Sequence, residues 1–451
     1  MDWIRDDRKG GRPRAALEPA VTAILRYAVI VALFAGLTVG AASQRDGQTD
    51  VFASFWAARD PDAAARTTDA IEKSGATFAE VLQSLKRGRP YARDVETGAI
   101  QPSRRTFPYT VDVPRSYDAT RRYPVRIHLH GGVMRNPSAV RTPAGIGSLA
   151  GTTDQIYILP VGSAAAPWWG RAQVENLRAI LDSVKRTYNV DENRVTVSGV
   201  SDGGTGAFYV AMADTTPYSA FVSLNGFVMV LRNERLVEGD LFPNNLRAKP
   251  WYVVNGGRDR LYPTSMVEPF LSHLFRGGVS IEYRPQPEAG HETSWWPKVK
   301  DELDAFLADH PRAPLPDRLS WEASDLEAAG RAHWLVINEL GATRTDAPLP
   351  DVNELEAAPN RRLMFERRHQ PGRVDLVRTG NLVQATTSGV RRFTLLLSPG
   401  QFDLSQPVRV TVNGRTAFEG RVEPSTKTLL KWAARDNDRT MVFGAELSIR
   451  P

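Results

Sequence analysis

The stretch Arg194 to Met212 (RVTVSGVSDGGTGAFYVAM) constrains the chain more than any other. A short β-type run, Val195 to Val197, passes through Ser198 into Gly199-Val200-Ser201-Asp202-Gly203-Gly204 and then into a small-residue helix. This is G-x-S-x-G between a predicted strand and a predicted helix. A serine on so tight a turn holds a strained backbone, and a bulky residue two positions away would clash, which explains the glycines. The turn lifts the Ser201 hydroxyl above the sheet edge. The helix behind it directs its N-terminal N–H groups at negative charge developing there.

Two partners follow in the chain. Trp251 to Asn255 reads as a strand and runs into Gly256-Gly257-Arg258-Asp259. Val279 to Tyr283 reads as the next strand and leads to Gly290-His291-Glu292. Each candidate lies just past the C-terminal end of a predicted strand, the edge at which open α/β sheets place their sites. The order Ser201, Asp259, His291 is the serine, acid, histidine order of the α/β-hydrolase fold. His273 and His310 also follow Asp259, but both read as helical.

The remaining elements of this region alternate between strand and helix. Thr106 to Val113 and Tyr123 to His130 alternate as strands, and Gln155 to Pro160 reads as a buried strand. Gln173 to Tyr188 places Val174, Leu177, Ile180, Leu181, Val184 and Tyr188 on one helical face. Ala220 to Leu224 is a further strand, Phe227 to Lys249 is irregular and cap-like, and Pro297 to His310 reads as a closing helix. The alternation predicts a mostly parallel sheet flanked by helices over residues 105–310.

At 451 residues the chain has room for two or three domains. Its 42% hydrophobic content supports a full-sized core. The formal net charge is +6, yet Arg5, Arg8, Lys9, Arg12 and Arg14 cluster at the N-terminus. The rest is near balance, without a basic stripe interleaved with aromatics, so no nucleic-acid partner is expected. The chain has no cysteine, which excludes disulfides, thiolate metal sites and a cysteine nucleophile.

Residues 1–19 form a basic leader, and residues 20–43 an apolar segment ending in Gly40-Ala41-Ala42-Ser43. Two readings stay open: a signal peptide cleaved at these small residues, or an uncleaved anchor with its basic end in the cytoplasm. Either predicts export, to the periplasm or medium or to the outer face of the inner membrane. Residues 51–104 read as a helical pair. Asp60-Pro61 starts one helix, Gly75 ends it, and Thr77 with Glu80 forms a capping box for the next. Residues 311–316 are Pro-rich and read as a linker. Residues 317–451 carry short alternating runs at Val374–Val377, Leu382–Thr386, Phe393–Leu397, Val408–Val412 and Met441–Ile449, with Asn413-Gly414 as a hairpin turn. They predict a β-sandwich accessory domain. Asp436-Asn437-Asp438 lacks the spacing of a calcium loop and reads as a plain turn.

Residues 109–310 resemble α/β-hydrolase serine esterases, nearest the feruloyl-esterase and polyhydroxybutyrate-depolymerase-like group, which shades into prolyl-oligopeptidase-like hydrolases. The residues that carry this are His130-Gly131-Gly132, Asn193-Arg194, Gly199 to Gly204, Asp259 and Gly290-His291. The resemblance implies Ser201 as nucleophile, Asp259 as acid and His291 as base. It also implies an oxyanion hole from the Asp202 N–H and the Gly131-Gly132 loop, with His130 shaping that loop. No metal or other cofactor is needed. The implied substrate is a carboxylic ester, free or attached to a polysaccharide or polyester. Trp168, Trp169, Trp295 and Trp296 are candidates for an aromatic cleft wall, against core packing as the default. Peptide-bond cleavage is the runner-up chemistry; the propeller usual in the prolyl-oligopeptidase branch is missing, which counts against it. From a different class, the chain could be a non-catalytic polysaccharide or cell-envelope binder.

Overall fold

Short, β-branched and aromatic runs build the central sheet of this computed structural model, which describes residues 51–102, 107–134, 142–341, 350–355 and 362–451. Eight strands enter it: β1 (Gly98–Ile100), β2 (Tyr109–Val113), β3 (Tyr123–Leu129), β4 (Ile156–Pro160), β5 (Val190–Val200), β6 (Ala220–Leu224), β7 (Trp251–Val254) and β8 (Ile281–Tyr283). Their spatial order is β1-β2-β4-β3-β5-β6-β7-β8. β4, β3, β5, β6, β7 and β8 run parallel to one another, whereas β2 is antiparallel to β4 and β1 to β2. Every residue of β4, β6 and β7 is buried, as strands covered on both faces require.

Alternation along β6 and β7 shows what covers each face. Ala220, Val222, Leu224, Tyr252 and Val254 share a core with Trp295, Trp296, Val299, Leu303 and Phe306 at the start and along one face of the helix Trp296–Asp309. On the opposite face, Phe221 packs on Trp251 with ring centroids 5.1 Å apart, and Phe208 of the helix Asp202–Ala213 stacks on Trp251 at 4.2 Å. That helix is buried without interruption from Gly203 to Met212, which is why its sequence is apolar all round.

Ahead of the sheet, Asp60 caps Pro61–Arg66 through the Ala63 N–H, and Thr77 and Glu80 close their capping box on Phe78–Arg87. The helix expected to run from Pro61 to Gly75 is broken in two at Thr67. The Thr67 and Thr68 hydroxyls bond back to the carbonyls of Ala64 and Ala65, the competition by which such side chains weaken a helix.

C-terminally, two further sheets share one hydrophobic core, with Trp321, Trp334, Phe393 and Phe443 at its centre. One is antiparallel and consists of Arg331–Ala332, Leu335–Leu340, Val390–Leu397 and Ala445–Ile449. The other orders Arg415–Gly420, Val408–Val412, Leu382–Ser388, Gly372–Thr379 and Arg318–Ala323. Its Leu382–Ser388 and Val408–Val412 strands pair parallel, which no hairpin reading of the sequence anticipates. Asn413 and Gly414 take the positive φ values (49° and 80°) of a tight hairpin turn. A helix, Thr426–Asp436, was not expected; Ser425 caps it, and it packs on the N-terminal helices. Asp436-Asn437-Asp438 is the end of this helix, with Asn437 left-handed at φ 45°.

Residues 54–451 form one compact unit. The leader and the apolar segment over residues 1–43 lie outside the described residues. Among those described, no helix is long and apolar enough to cross a membrane. The segment 311–316 is pinned to its surroundings: the buried Arg312 guanidinium donates to Asn193, to the Thr216 carbonyl, to Thr440 and, at 2.7 Å, to Asp438.

Candidate active site

Ser201 sits between β5 and the helix Asp202–Ala213, with φ 56° and ψ −118°. This is a region that side-chain-bearing residues seldom occupy. The turn is so tight that a Cβ on Gly199 would lie 2.2 Å from the Gly203 carbonyl group, and one on Gly203 would lie 1.9 Å from the Leu129 oxygen. Both glycines of G-x-S-x-G are therefore steric requirements. The Ser201 N–H is held by the Leu224 carbonyl at 2.8 Å, which ties the turn to β6.

The three side chains read from the sequence converge. Ser201 Oγ lies 2.8 Å from His291 Nε2, and His291 Nδ1 lies 2.6 Å from Asp259 Oδ2. Asp259 is buried, and its other oxygen accepts the Leu261 and Tyr262 N–H groups at 2.7 and 3.0 Å. With the carboxylate so held, Nδ1 is the donor nitrogen and Nε2 is free to accept from the serine hydroxyl.

Two interlocked loops make this convergence possible. Gln286 donates its N–H to the Asn255 carbonyl and accepts from Gly257, while Arg258 donates to Ala289. The loops touch so closely that a Cβ on Gly256 would lie 2.3 Å from the Gly290 oxygen. Asn225 strengthens the clamp. Its backbone is left-handed (φ 50°), and its side-chain amide donates to the Glu292 carbonyl at 2.9 Å, next to His291. In the sequence this residue is marked only by the Asn225-Gly226 pair that follows β6. The Tyr262 ring stands edge-on to His291 at 5.7 Å. Burial, then Asp202 and Asp259, raise the Tyr262 phenol above its ordinary value, so it stays neutral.

The glycine loop after β3 packs on the serine turn. A Cβ on Gly131 would meet Ser201 Cβ at 3.0 Å, and Gly132 has φ 72°. The Asp202 carboxylate accepts the Val133 N–H at 2.9 Å, fastening this loop to the head of the helix. His130 acts as a brace: Nε2 accepts from the Gly162 N–H at 3.1 Å, which leaves Nδ1 to donate to the Gly131 carbonyl. Trp168 donates to the His130 carbonyl at 2.8 Å.

Trp168, Trp169, Trp295 and Trp296, candidates for a cleft wall, are all at most 4% exposed. The default core role is the observed one. Trp168 fills space that a Cβ on Gly206 would invade, at 2.4 Å, and Trp295 and Trp296 belong to the core under β6 and β7. The irregular stretch Phe227–Lys249 contains two 3-10 turns, Val228–Arg232 and Pro243–Ala248.

No protein-family model matches the chain, and no curated protein does. Solved structures do. A thermostable esterase matches at 18% identity and TM-score 0.38, over 48% of this chain and 62% of that one. The apo form of Thermogutta terrifontis esterase 2 matches at 16% identity and TM-score 0.39, over 48% of this chain and 97% of that one. A ferulic acid esterase matches at 17% identity and TM-score 0.37, over 48% and 98%. The chain thus has a mostly parallel eight-stranded sheet, and these solved esterases align with about half of its length.

Proposed function

We propose that this protein is a serine hydrolase that cleaves carboxylic esters through an acyl-enzyme on Ser201. One observation carries the reading: an unbroken hydrogen-bond chain from the Ser201 hydroxyl through His291 to a buried Asp259, at 2.8 and 2.6 Å. A serine hydroxyl is a weak nucleophile and needs an adjacent base. His291 Nε2 takes the hydroxyl proton as Oγ bonds to the ester carbonyl carbon. Asp259 holds the imidazole in the required tautomer and stabilises the imidazolium. The carbonyl oxygen becomes an oxyanion facing the helix N-terminus, where the N–H groups of Asp202 and of the Gly131-Gly132 loop receive it. Val133 is excluded from that role because its N–H is committed to the Asp202 carboxylate. The imidazolium then protonates the leaving alkoxide, and water, activated by the same histidine, releases the acid.

No group beyond the protein's own residues enters this scheme. The two C-terminal sheets are read as a β-sandwich accessory unit, and residues 1–43 as an export signal or inner-membrane anchor that places the enzyme outside the cytoplasm. The test is turnover of p-nitrophenyl acetate and butyrate, together with fluorophosphonate labelling mapped by peptide. Activity and label are expected on the native chain and absent from Ser201→Ala. Equal turnover by the two proteins refutes the reading.

A further inference from the structure

A second site lies at the opposite edge of the sheet. Ser201, Asp259 and His291 follow the C-terminal ends of β5, β7 and β8, whereas Ser219 and Pro250 immediately precede β6 and β7. These last two, with Lys249, line a half-open cavity of about 560 Å³ bounded on its other side by Arg318–Ser320, Arg373 and Asp375–Val377 of the C-terminal sheet. The two sites are separated by the length of the strands, roughly 15 Å at 3.3 Å per residue. The volume is that of a site for a small organic molecule.

The lining is cationic. Arg247, Lys249, Arg312, Arg318 and Arg373 face two carboxylates, Asp309 and Asp375. Asp375 is already held by the Arg373 fork and by the Ser320 hydroxyl. Arg312 is occupied by Asp438, and Arg247 donates to Asn244, whose amide in turn bonds to Glu322 and Asp351. Arg318 is exposed at the rim. Burial and then Arg373 pull the Arg247 guanidinium below its ordinary value, against the opposing effects of Asp375, Glu322 and Asp351.

Lys249 is the centre of the arrangement. It is 6% exposed, and its amine meets His333 Nε2 at 3.1 Å. His333, itself buried, donates from Nδ1 to the Pro314 carbonyl at 2.9 Å, so Nε2 is the acceptor and Lys249 the donor. An amine has further N–H groups to give. His333 holds this place with a left-handed backbone, φ 49°. A buried lysine beside a histidine, in a cavity short of negative charge, is costly for the fold alone and suited to an incoming oxyanion.

We propose that this cavity binds a small polyanion bearing carboxylate or phosphate groups, with Lys249, Arg247 and Arg318 as its cationic contacts. The proposal is independent of the reaction at Ser201. Burial, then Arg312, depress the Lys249 amine, against a smaller opposing effect of Asp214, and His333 is depressed by burial and by Lys249, Arg312 and Arg331. An anion seated beside Lys249 reverses that depression, so binding draws in a proton.

The experiment titrates citrate and inorganic phosphate into the full chain by calorimetry at constant ionic strength. Two buffers of different ionisation enthalpy are used at pH 7.5. Saturable one-to-one binding with net proton uptake is expected, weakened at least about tenfold in Lys249→Met and in Arg318→Glu and unchanged in Ser201→Ala. Arg318→Glu alters a rim residue and carries the test if the buried lysine variant does not fold. Tighter citrate assigns carboxylates and tighter phosphate assigns phosphoryl groups. No saturable binding below about 10 mM, or equal affinity in native chain and Arg318→Glu, overturns the proposal.

Discussion

At the scale of the residue, the site is built from atoms that have no room to be otherwise. Gly203 cannot carry a methyl group 1.9 Å from the Leu129 oxygen without parting β3 from the helix head. Gly203→Ala is therefore expected to cost at least about 3 kcal/mol, seen as a lowered denaturant midpoint with unchanged slope. Ser201→Ala keeps the fold and should lose ester turnover by about 10⁴-fold or more, measured as kcat. Asp202 is a positioning residue. Its carboxylate holds the Val133 N–H, so Asp202→Ala frees the glycine loop. The expected outcome is kcat down about tenfold to a hundredfold with KM little changed, since the loss falls on the transition state. An equal loss in KM alone would assign Asp202 to substrate binding instead.

At the scale of the element, β3 carries both the glycine loop and a buried histidine. His128 Nδ1 lies 3.0 Å from the Ser198 hydroxyl of β5. Burial, then Arg126 and His130, push its imidazole down to about 3 from an ordinary value of 6.5. The unfolded chain protonates this group below about 6.5, while the folded strand keeps it neutral to about 3. Stability therefore rises with pH between these limits and is lost as pH falls through them. His128→Asn should flatten the decline of Tm between pH 6.5 and pH 4, leaving the neutral-pH Tm lowered by the packing change alone. The helix Asp202–Ala213 teaches the same lesson in another form. Its apolar, glycine-rich sequence is a poor helix by propensity, and burial on every side sustains it.

At the scale of the whole molecule, buried ion pairs join the α/β part to the C-terminal sheets. Arg312 meets Asp438 at 2.7 Å with both side chains at most 3% exposed, and Arg439 meets Glu192. Burial alone would raise the Asp438 carboxyl; Arg312, Lys185 and Thr440 outweigh it and hold the group well below the usual carboxylate range. Its contribution is present at neutral pH and lost as acid protonates it. Asp438→Asn leaves Arg312 buried beside a neutral partner and should destabilise the chain by about 3–5 kcal/mol at pH 7, less in acid. That loss falls below the ordinary carboxylate value of 3.8, so thermal unfolding at pH 7 and pH 2 checks both the size and the sign.

Much of this was legible in the residues themselves. The placing of Ser201, Asp259 and His291 each just past a strand, the glycines about the serine and the capping box at Thr77 are all local, because turn sterics and hydrogen-bond chemistry act over a few positions. The strand–helix alternation of residues 105–310 likewise declared a mostly parallel sheet, since hydrophobic period encodes the element type. What the chain could not state locally was which surfaces meet. Trp168, Trp169, Trp295 and Trp296 are as suited to a cleft as to a core, and only tertiary packing buried them: Trp168 against Gly162 and Gly206, Trp295 and Trp296 in the core under β6 and β7. The parallel pairing of Leu382–Ser388 with Val408–Val412, and the gathering of Lys249, His333 and Arg318 about one cavity, depend on contacts between residues far apart in sequence. Those contacts exist only once the sheets are stacked, because burial and electrostatics are properties of the assembled volume and leave no periodic trace in the chain.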